Sequence, residues 1–494
     1  MRRFILSLLI ITTIFMGTQG AYSEWALPGG MGGDIIYLSL KEALELALIN
    51  NFDVQFALYD RLIKDADIDE AKSVYDTVLK LNADYTYDRK EQASSLFGTS
   101  SHTGQAGMKL TKKLITGTDV SIDFQNIRES SDSAFSTLNP SYESYTEIKF
   151  TQPLLRNFFG MNDWADVKIA RIDVRNFSLE TLDKIETNLA DVEEAYWDLV
   201  LSVELVDVEK EMYEKAKEFY EISRKKKKLG TSEITDLLAA EANMATRKTE
   251  LIIEENTLKT AMNKLRLLIN YPNATGILPI STIGITGANV TLLESLKISF
   301  EKRRDYKRAK NEIKAKRIKF NMKRNDRWPQ LDFEGSLKLN GIERKVKDSM
   351  ADAFTRENPE YNARVTFSIP LENRSERSAY NKAKHEKAKA LLNLKKMEKV
   401  ILADIDDAVR DVNVNKIKAE ERLKIESLQK RKLEEELKQF GFGRSDSDRV
   451  IRFQEDLLRA KRLALNALKD YKDSLIELYL KEGIFLEKRG LTVE

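Results

Sequence analysis

The strongest constraint on this chain is that its plan is written twice. At a constant offset of 252, Ser39-Leu40-Lys41-Glu42 matches Thr291-Leu292-Leu293-Glu294, and Leu44, Asp53, Ala57 and Leu79 match Leu296, Asp305, Ala309 and Leu331. A second block repeats at an offset of 213, pairing Ala170 with Ala383, Ala190-Asp191 with Ala403-Asp404, Ala195 with Ala408 and Gly230 with Gly443. A repeat of this kind fixes the architecture before any single element does. Both opening tetrads read as capping boxes, in which hydroxyl and carboxylate satisfy the free amides of a helix start. Each half therefore predicts helix, strands, a very long helix, a glycine turn and a returning helix. Tyr271-Pro272-Asn273-Ala274-Thr275-Gly276, with Pro279, Gly284 and Gly287, punctuates the passage between the halves.

The long helices carry heptads. From Leu182 the apolar positions run Ile185, Leu189, Val192, Tyr196, Leu199, Val203 and Val206, alternating steps of three and four, and the second copy has Leu402, Ile405, Val409 and Val412. Such a 3.5-residue period demands a left-handed supercoil against neighbours. Asn162 to Leu229 contains neither proline nor glycine, so at 1.5 Å per residue it reaches roughly 100 Å. An ordinary coiled coil would show the same stripe.

The strands beside these helices separate the alternatives. Leu81, Ala83, Tyr85 and Tyr87 interleave with Asn82, Asp84, Thr86 and Asp88; Leu331, Phe333, Leu337 and Leu339 do the same in the second copy. Returning strands follow, with Ile148 and Phe150 in one half and Ala363, Val365, Phe367 and Ile369 in the other. Each half thus contributes at least one antiparallel pair. Strict alternation fits a sheet with one wet face or a membrane barrel wall. Two isolated hairpins have too few partners for a stable soluble sheet, whereas pooling them among identical subunits closes a barrel without edges. A further hairpin is expected around Met108 to Leu110 and Val120 to Phe124, turning near Gly117; its placement is open.

Arg2, Arg3, the apolar run Phe4 to Phe15 and Ala21-Tyr22-Ser23 form a secretory leader. The expected divisions are a signal peptide over 1–23, a first repeat over 24–276, a linker over 277–290 and a second repeat over 291–494. No other stretch reaches the ~18 apolar residues of a spanning helix, so strands must carry any membrane segment. The chain has no cysteine, and only His102 and His385 as imidazoles, neither in a catalytic or metal spacing. No enzymatic role, metal or cofactor is expected. Basic and acidic residues balance at 81 against 79, which removes the global field that nucleic-acid binding requires. The basic run from Lys307 to Arg327 reads as a solvated helix face.

With these features in place, the chain resembles the TolC-like outer-membrane factors over almost all of its mature length. The resemblance rests on LSLKEALELALINN, on FTQPLLR and its copy FSIPL, and on the turn LGTSEITDLLAAEANMA, in that order. It implies an α+β membrane protein: a trimer with a shared transmembrane β-barrel, a long helical coiled-coil barrel in the periplasm, and an equatorial belt. It also implies residence in the outer-membrane lipid, with an inner-membrane pump and a periplasmic adaptor as partners and a passive exit for efflux or type I secretion. A structural periplasmic coiled coil or adaptor without a pore is the rival; its single hairpin fits the duplication less well. Two departures are a short C-terminal segment ending at Glu494 and an additional glycine in Phe440-Gly441-Phe442-Gly443-Arg444.

Leu229-Gly230-Thr231 and Phe442-Gly443-Arg444 are the expected tips that meet the adaptor, since glycine past a long helix accommodates the left-handed turn. The basic run Arg224 to Lys228 suits a helix C-terminus or the docking surface. Asp236, Asp446 and Asp448 read as caps before cation ligands. The offset of 213 sets Arg449 where the first copy has Asp236. The resembled family commonly has aspartate there, near a closed tip. Asp236, Asp446, Asp448 and Arg449 are thus the candidate gate, with an Asp236–Arg449 pair as its link.

Overall fold

The computed structural model describes residues 35–89, 98–134, 136–230, 233–271, 276–285, 287, 290–442 and 444–493; the expected signal peptide lies outside them. The first half runs β1 (Ile35–Leu38), α1 (Leu40–Asn50), α2 (Phe52–Lys72), β2 (Thr77–Asp88), β3 (Ser101–Lys113), β4 (Asp119–Ser131), β5 (Ser141–Pro153), α3 (Met161–Lys228) and α4 (Ile234–Ile269). The second runs β6 (Gly276–Pro279), α5 (Leu292–Lys302), α6 (Arg304–Asn325), β7 (Gln330–Glu343), α7 (Val346–Asp352), β8 (Pro359–Ser368), α8 (Arg374–Gly441), α9 (Ser447–Glu482) and α10 (Phe485–Arg489).

Corresponding helices match closely in length. α3 and α8 are 68 residues each, α4 and α9 are 36 each, and α1 and α5 are 11 each. The seam of α3 is buried as its spacing requires: Ile185, Leu189, Val192, Tyr196 and Leu199 are inaccessible. In α8, Ile405, Val409 and Val412 are buried but Leu402 is 47% exposed. The physical reason is that α8 has α9, α6 and α5 along one side only.

The capping box forms in the first copy, where Glu42 Oε2 accepts from the Ser39 amide at 2.8 Å and Ser39 Oγ from the Glu42 amide at 3.4 Å. It does not form in the second. Thr291 occupies the N-cap at φ −118° against −79° for Ser39, and its side chain makes no cap hydrogen bond.

At mid-height the chain is tied into one core. β1 and β6 pair in parallel, so the linker region 277–290 begins inside a strand. The Tyr196 hydroxyl donates to the Leu38 carbonyl at 3.1 Å and meets Ser281 Oγ at 3.0 Å, joining both segments to α3. The short C-terminus docks here too. Phe485 is fully buried, and Arg489 Nε donates to Glu193 Oε2 at 2.6 Å.

The remaining strands form one antiparallel sheet in the order β2-β3-β4-β5-β7-β8. The expected outgoing and returning strands are therefore all present. In the first half, however, β2 and β5 do not touch, because the hairpin of β3 and β4 stands between them.

Candidate functional site: a two-faced sheet and two hairpin tips

Register gives the sheet two unlike faces. One row crosses all six strands as Leu79, Leu110, Ile122, Ile148, Leu337 and Tyr361. The residues offset by one along each strand form the row Lys80, Lys109, Asp123, Glu147, Lys338 and Glu360 on the other face. Much of the apolar face is uncovered, with Leu81 at 69% and Tyr361 at 76% exposure, while α7 packs over its far end, where Ser144 is inaccessible and lies 2.9 Å from Ser349 Oγ. The charged face neutralises itself across strands: Lys109 lies 3.4 Å from Asp123 and Lys149 2.7 Å from Glu334. Among the described residues, β2 and β8 are each paired on one side only. Strands of 10 to 14 residues are long enough for the ~9–11 that cross a bilayer.

Aromatic side chains mark both ends of the apolar face. Far from the helices, Tyr87 stacks on His102 with centroids 4.4 Å apart, and Tyr85 Oη lies 2.7 Å from His102 Nδ1. At the helix end Phe158, Phe159, Trp164 and Trp328 are exposed. Rings of amphipathic aromatics at two levels are what a membrane-crossing wall places at its two interfaces.

At the other extreme, each long helix turns back. α3 ends in Lys225 to Lys228, cations that complement its carbonyl end. Leu229 caps it, and Gly230 adopts φ +75° with open space where a Cβ would stand. Phe442 caps α8 at 76% exposure, and the Arg444 amide donates to the Gln439 carbonyl at 2.9 Å. Thr231 and Gly443 lie outside the described residues. Asp446 is the N-cap of α9, accepting from the Arg449 amide at 2.7 Å, and Asp448 sits in its first turn. Asp236 accepts from the Glu233 amide at 3.3 Å, closing a capping box on α4. Arg449 Nε lies 3.1 Å from Oε1 of Glu436, in place of the expected partner Asp236. The Ser445 hydroxyl donates to the same carboxylate.

No protein-family model and no curated protein matches this sequence. Solved structures do. CusC, studied for transmembrane channel formation, superposes with a TM-score of 0.67 at 13% identity, over 93% of this chain and 95% of that one. The outer-membrane channel CmeC of Campylobacter jejuni gives 0.63 at 14% identity over 95% and 94%. The open MtrE outer-membrane channel of Neisseria gonorrhoeae gives 0.66 at 16% over 90% and 88%. The chain has the fold of the outer-membrane channels.

Within this channel fold, charged groups join the helices where the apolar seam predicts nothing. Arg304 of α6 meets Glu186 of α3 through two nitrogens, at 2.5 and 2.8 Å, and Arg308 reaches Glu180 and Asp183, both at 3.0 Å. Part of the basic run expected to be solvated is therefore paired. The cue was readable: Glu180, Asp183 and Glu186 recur every three residues on α3, facing arginines spaced by four on α6. Nearer the tips, Glu209 of α3 is inaccessible, and neither carboxylate oxygen has a hydrogen bond. Its nearest cation, Arg462 Nη1 of α9, is 3.6 Å away, and Nη2 of that arginine pairs with Glu254 of α4. Burial pushes the Glu209 carboxyl up, with Arg462 and Arg247 opposing. Further along the same helices, Asn243 of α4 donates to Gln454 of α9 at 3.0 Å. Lys469 sits between Asp473 at 2.7 Å and Asp198 at 3.0 Å. Burial disfavours its charge, yet those carboxylates hold the ammonium above its ordinary value.

Proposed function

We propose that this chain is one subunit of a trimeric outer-membrane duct, giving solutes a passive, water-filled exit together with a periplasmic adaptor and an inner-membrane pump. The observation that carries the reading is the sheet: apolar over one face, charged over the other, free at both edges, and attached to helices of 68 residues. Unpaired edge amides are costly in hydrocarbon, where water cannot satisfy them. Joining β8 of one chain to β2 of the next removes the edges. The strand count is even, so the new pair is antiparallel like the rest. Three copies then close a barrel with Ile122 toward lipid and Asp123 toward the lumen. The matching helix lengths support a duplicated conduit, and the reading needs no catalytic residue, metal or cofactor.

The tips at Leu229, Gly230, Thr231, Phe442, Gly443 and Arg444 are the adaptor-docking ends. Asp236, Asp446, Asp448 and Arg449 lie beside them as the gate, with Asp236 and Arg449, within one chain or between two, as the candidate link. Replacing Gly230 with valine forces a β-branched residue into φ +75°. Adaptor cross-linking should fall while membrane insertion persists. Fractionation followed by native mass measurement in detergent tests the whole reading. A membrane-bound trimer is expected; a soluble monomer after osmotic release would instead mark a structural coiled coil of the periplasm.

A further inference from the structure

The outgoing and returning strands of the duplicated plan number two per half, yet the first half places four in the sheet, β2 to β5. The additional hairpin is built into the sheet rather than appended to it. Its two strands bond β2 on one side and β5 on the other. Its turn is fastened to the end of β5 and the start of α3: the Thr118 hydroxyl donates to Gln152 Oε1 of β5 at 2.5 Å, and a Cβ on Gly117 would stand 2.5 Å from the nitrogen of Gly160, the N-cap of α3. Both faces stay in phase with the neighbours, Ile122 lying in the apolar row and Asp123 in the charged one. On the charged side the hairpin lies flat. Gly107 leaves room for the Gln125 side chain, which accepts from Gln105 Nε2 at 3.1 Å and donates to Asp123 Oδ1 at 3.0 Å.

We infer that this hairpin widens the exit, so that the duct passes cargo about twice as broad as the duplicated strands alone would admit. The inference rests on the trimeric-duct reading above. With strands ~4.8 Å apart and tilted ~40°, a closed wall of ~18 strands is ~36 Å across at the backbone, against ~24 Å for ~12 strands. Side chains take ~6 Å from each wall, leaving ~24 Å or ~12 Å. An α-helix with its side chains is ~10–12 Å wide, so the narrower exit fits one helix and the wider a helical hairpin or a comparably bulky solute.

The chain has no cysteine, so a single Asp123→Cys reports that position alone. Trimers in proteoliposomes or on intact cells are treated from the outside with polymer-linked maleimides of graded diameter, and the mass shift is read. Entry from that side does not depend on the distant tip. Modification should persist to a polymer diameter of ~20 Å, as the wall geometry requires. Ile122→Cys should react only with a lipid-soluble maleimide. Ser121→Cys, on the same face as Asp123, repeats the measurement if the Asp123 variant fails to assemble. A cut-off near ~12 Å in an intact trimer overturns the wide exit and leaves the duct standing. Reaction of Ile122→Cys with water-soluble polymers also overturns it, because the hairpin then lies off the wall. A parent protein that is not trimeric removes both readings together.

Discussion

Helices α3 and α8 have the same length, 68 residues, and carry apolar seams at matching heptad positions, yet they are covered differently. α3 is enclosed by α2, α4, α6 and α9, so Ile185, Leu189 and Leu199 are inaccessible. α8 has α9, α6 and α5 along one side, and Val414, Ile417 and Leu428 remain exposed at 55%, 62% and 55%. Equal length with unequal burial separates two requirements. Length sets how far each copy reaches, and both reach equally far. Burial records what each copy packs against, and the open side of α8 is the side a second chain would cover.

The largest effects should therefore follow changes around α3. Arg304→Met leaves Glu186 with 3% of its side chain exposed and without its paired guanidinium. Breaking a buried pair from one end costs ~3–5 kcal/mol. Arg410, whose side chain is 59% exposed on α8, supplies the contrast, and Arg410→Met should cost ~0–1 kcal/mol. Denaturant midpoints of the two variants check the difference; similar losses would mean that the halves do not differ as their burial indicates. Next in size, Leu199→Ala removes a core side chain and should cost ~2–5 kcal/mol. Leu402→Ala should leave subunit stability nearly unchanged and instead lower the trimer fraction in native mass spectra.

How legible this was depends on whether the cue is local. The 3–4 spacing from Ile185 to Val206 marked the seam of α3 correctly, because burial on a helix follows the period of its own sequence. Alternation around Leu81 and Phe333 marked strands for the same reason. The Met108 and Val120 segments announced a hairpin but not its neighbours, since strand order is settled by long-range pairing. Glu209 gave no sign at all: a glutamate between heptad positions is normally solvated, and only the rotation of α4 and α9 about α3 encloses it. The partner of Arg449 was within reach. Glu436 and Arg449 lie nearly equidistant from the turn at Phe442, as facing residues of an antiparallel helical hairpin do.

Glu209 gives a smaller effect with a definite pH dependence. Its folded-state carboxyl is raised by burial, against Arg462 and Arg247. Below the unfolded value, ~4.3 for glutamate, both states are protonated and the group costs nothing. As pH rises past that value the folded state is penalised, fully so once the folded carboxyl has ionised. Glu209→Gln should then stabilise at pH 7 and change nothing below pH ~4, with Arg462 still held by Glu254. Thermal melts at the two pH values test this; a loss at pH 7 would show that the Arg462 contact outweighs desolvation.

The smallest effect concerns the tip, where the two copies differ by charge: Asp236 in one, Arg449 in the other. Asp236 serves the start of α4, accepting from the Glu233 amide at 3.3 Å. Arg449 serves the join between α8 and α9, with Nε 3.1 Å from Glu436, whose side chain is 7% exposed while that of Arg449 is 52% exposed. A half-exposed link of this kind is worth ~0–1 kcal/mol, so one copy biases the tip without locking it. Three-fold symmetry would multiply the bias. Arg449→Asp places a second carboxylate against Glu436, which should splay the end of the α8–α9 hairpin and raise resting conductance in planar bilayers. Two second-site changes then locate the link. Adding Glu436→Arg restores an opposite-charge pair inside the hairpin, whereas adding Asp236→Arg restores one only if the two hairpins, or two chains, meet there. The 3.1 Å contact leads us to expect closure from Glu436→Arg. Rescue by Asp236→Arg alone would place the link between hairpins, and an unchanged conductance in Arg449→Asp would remove Arg449 from the gate.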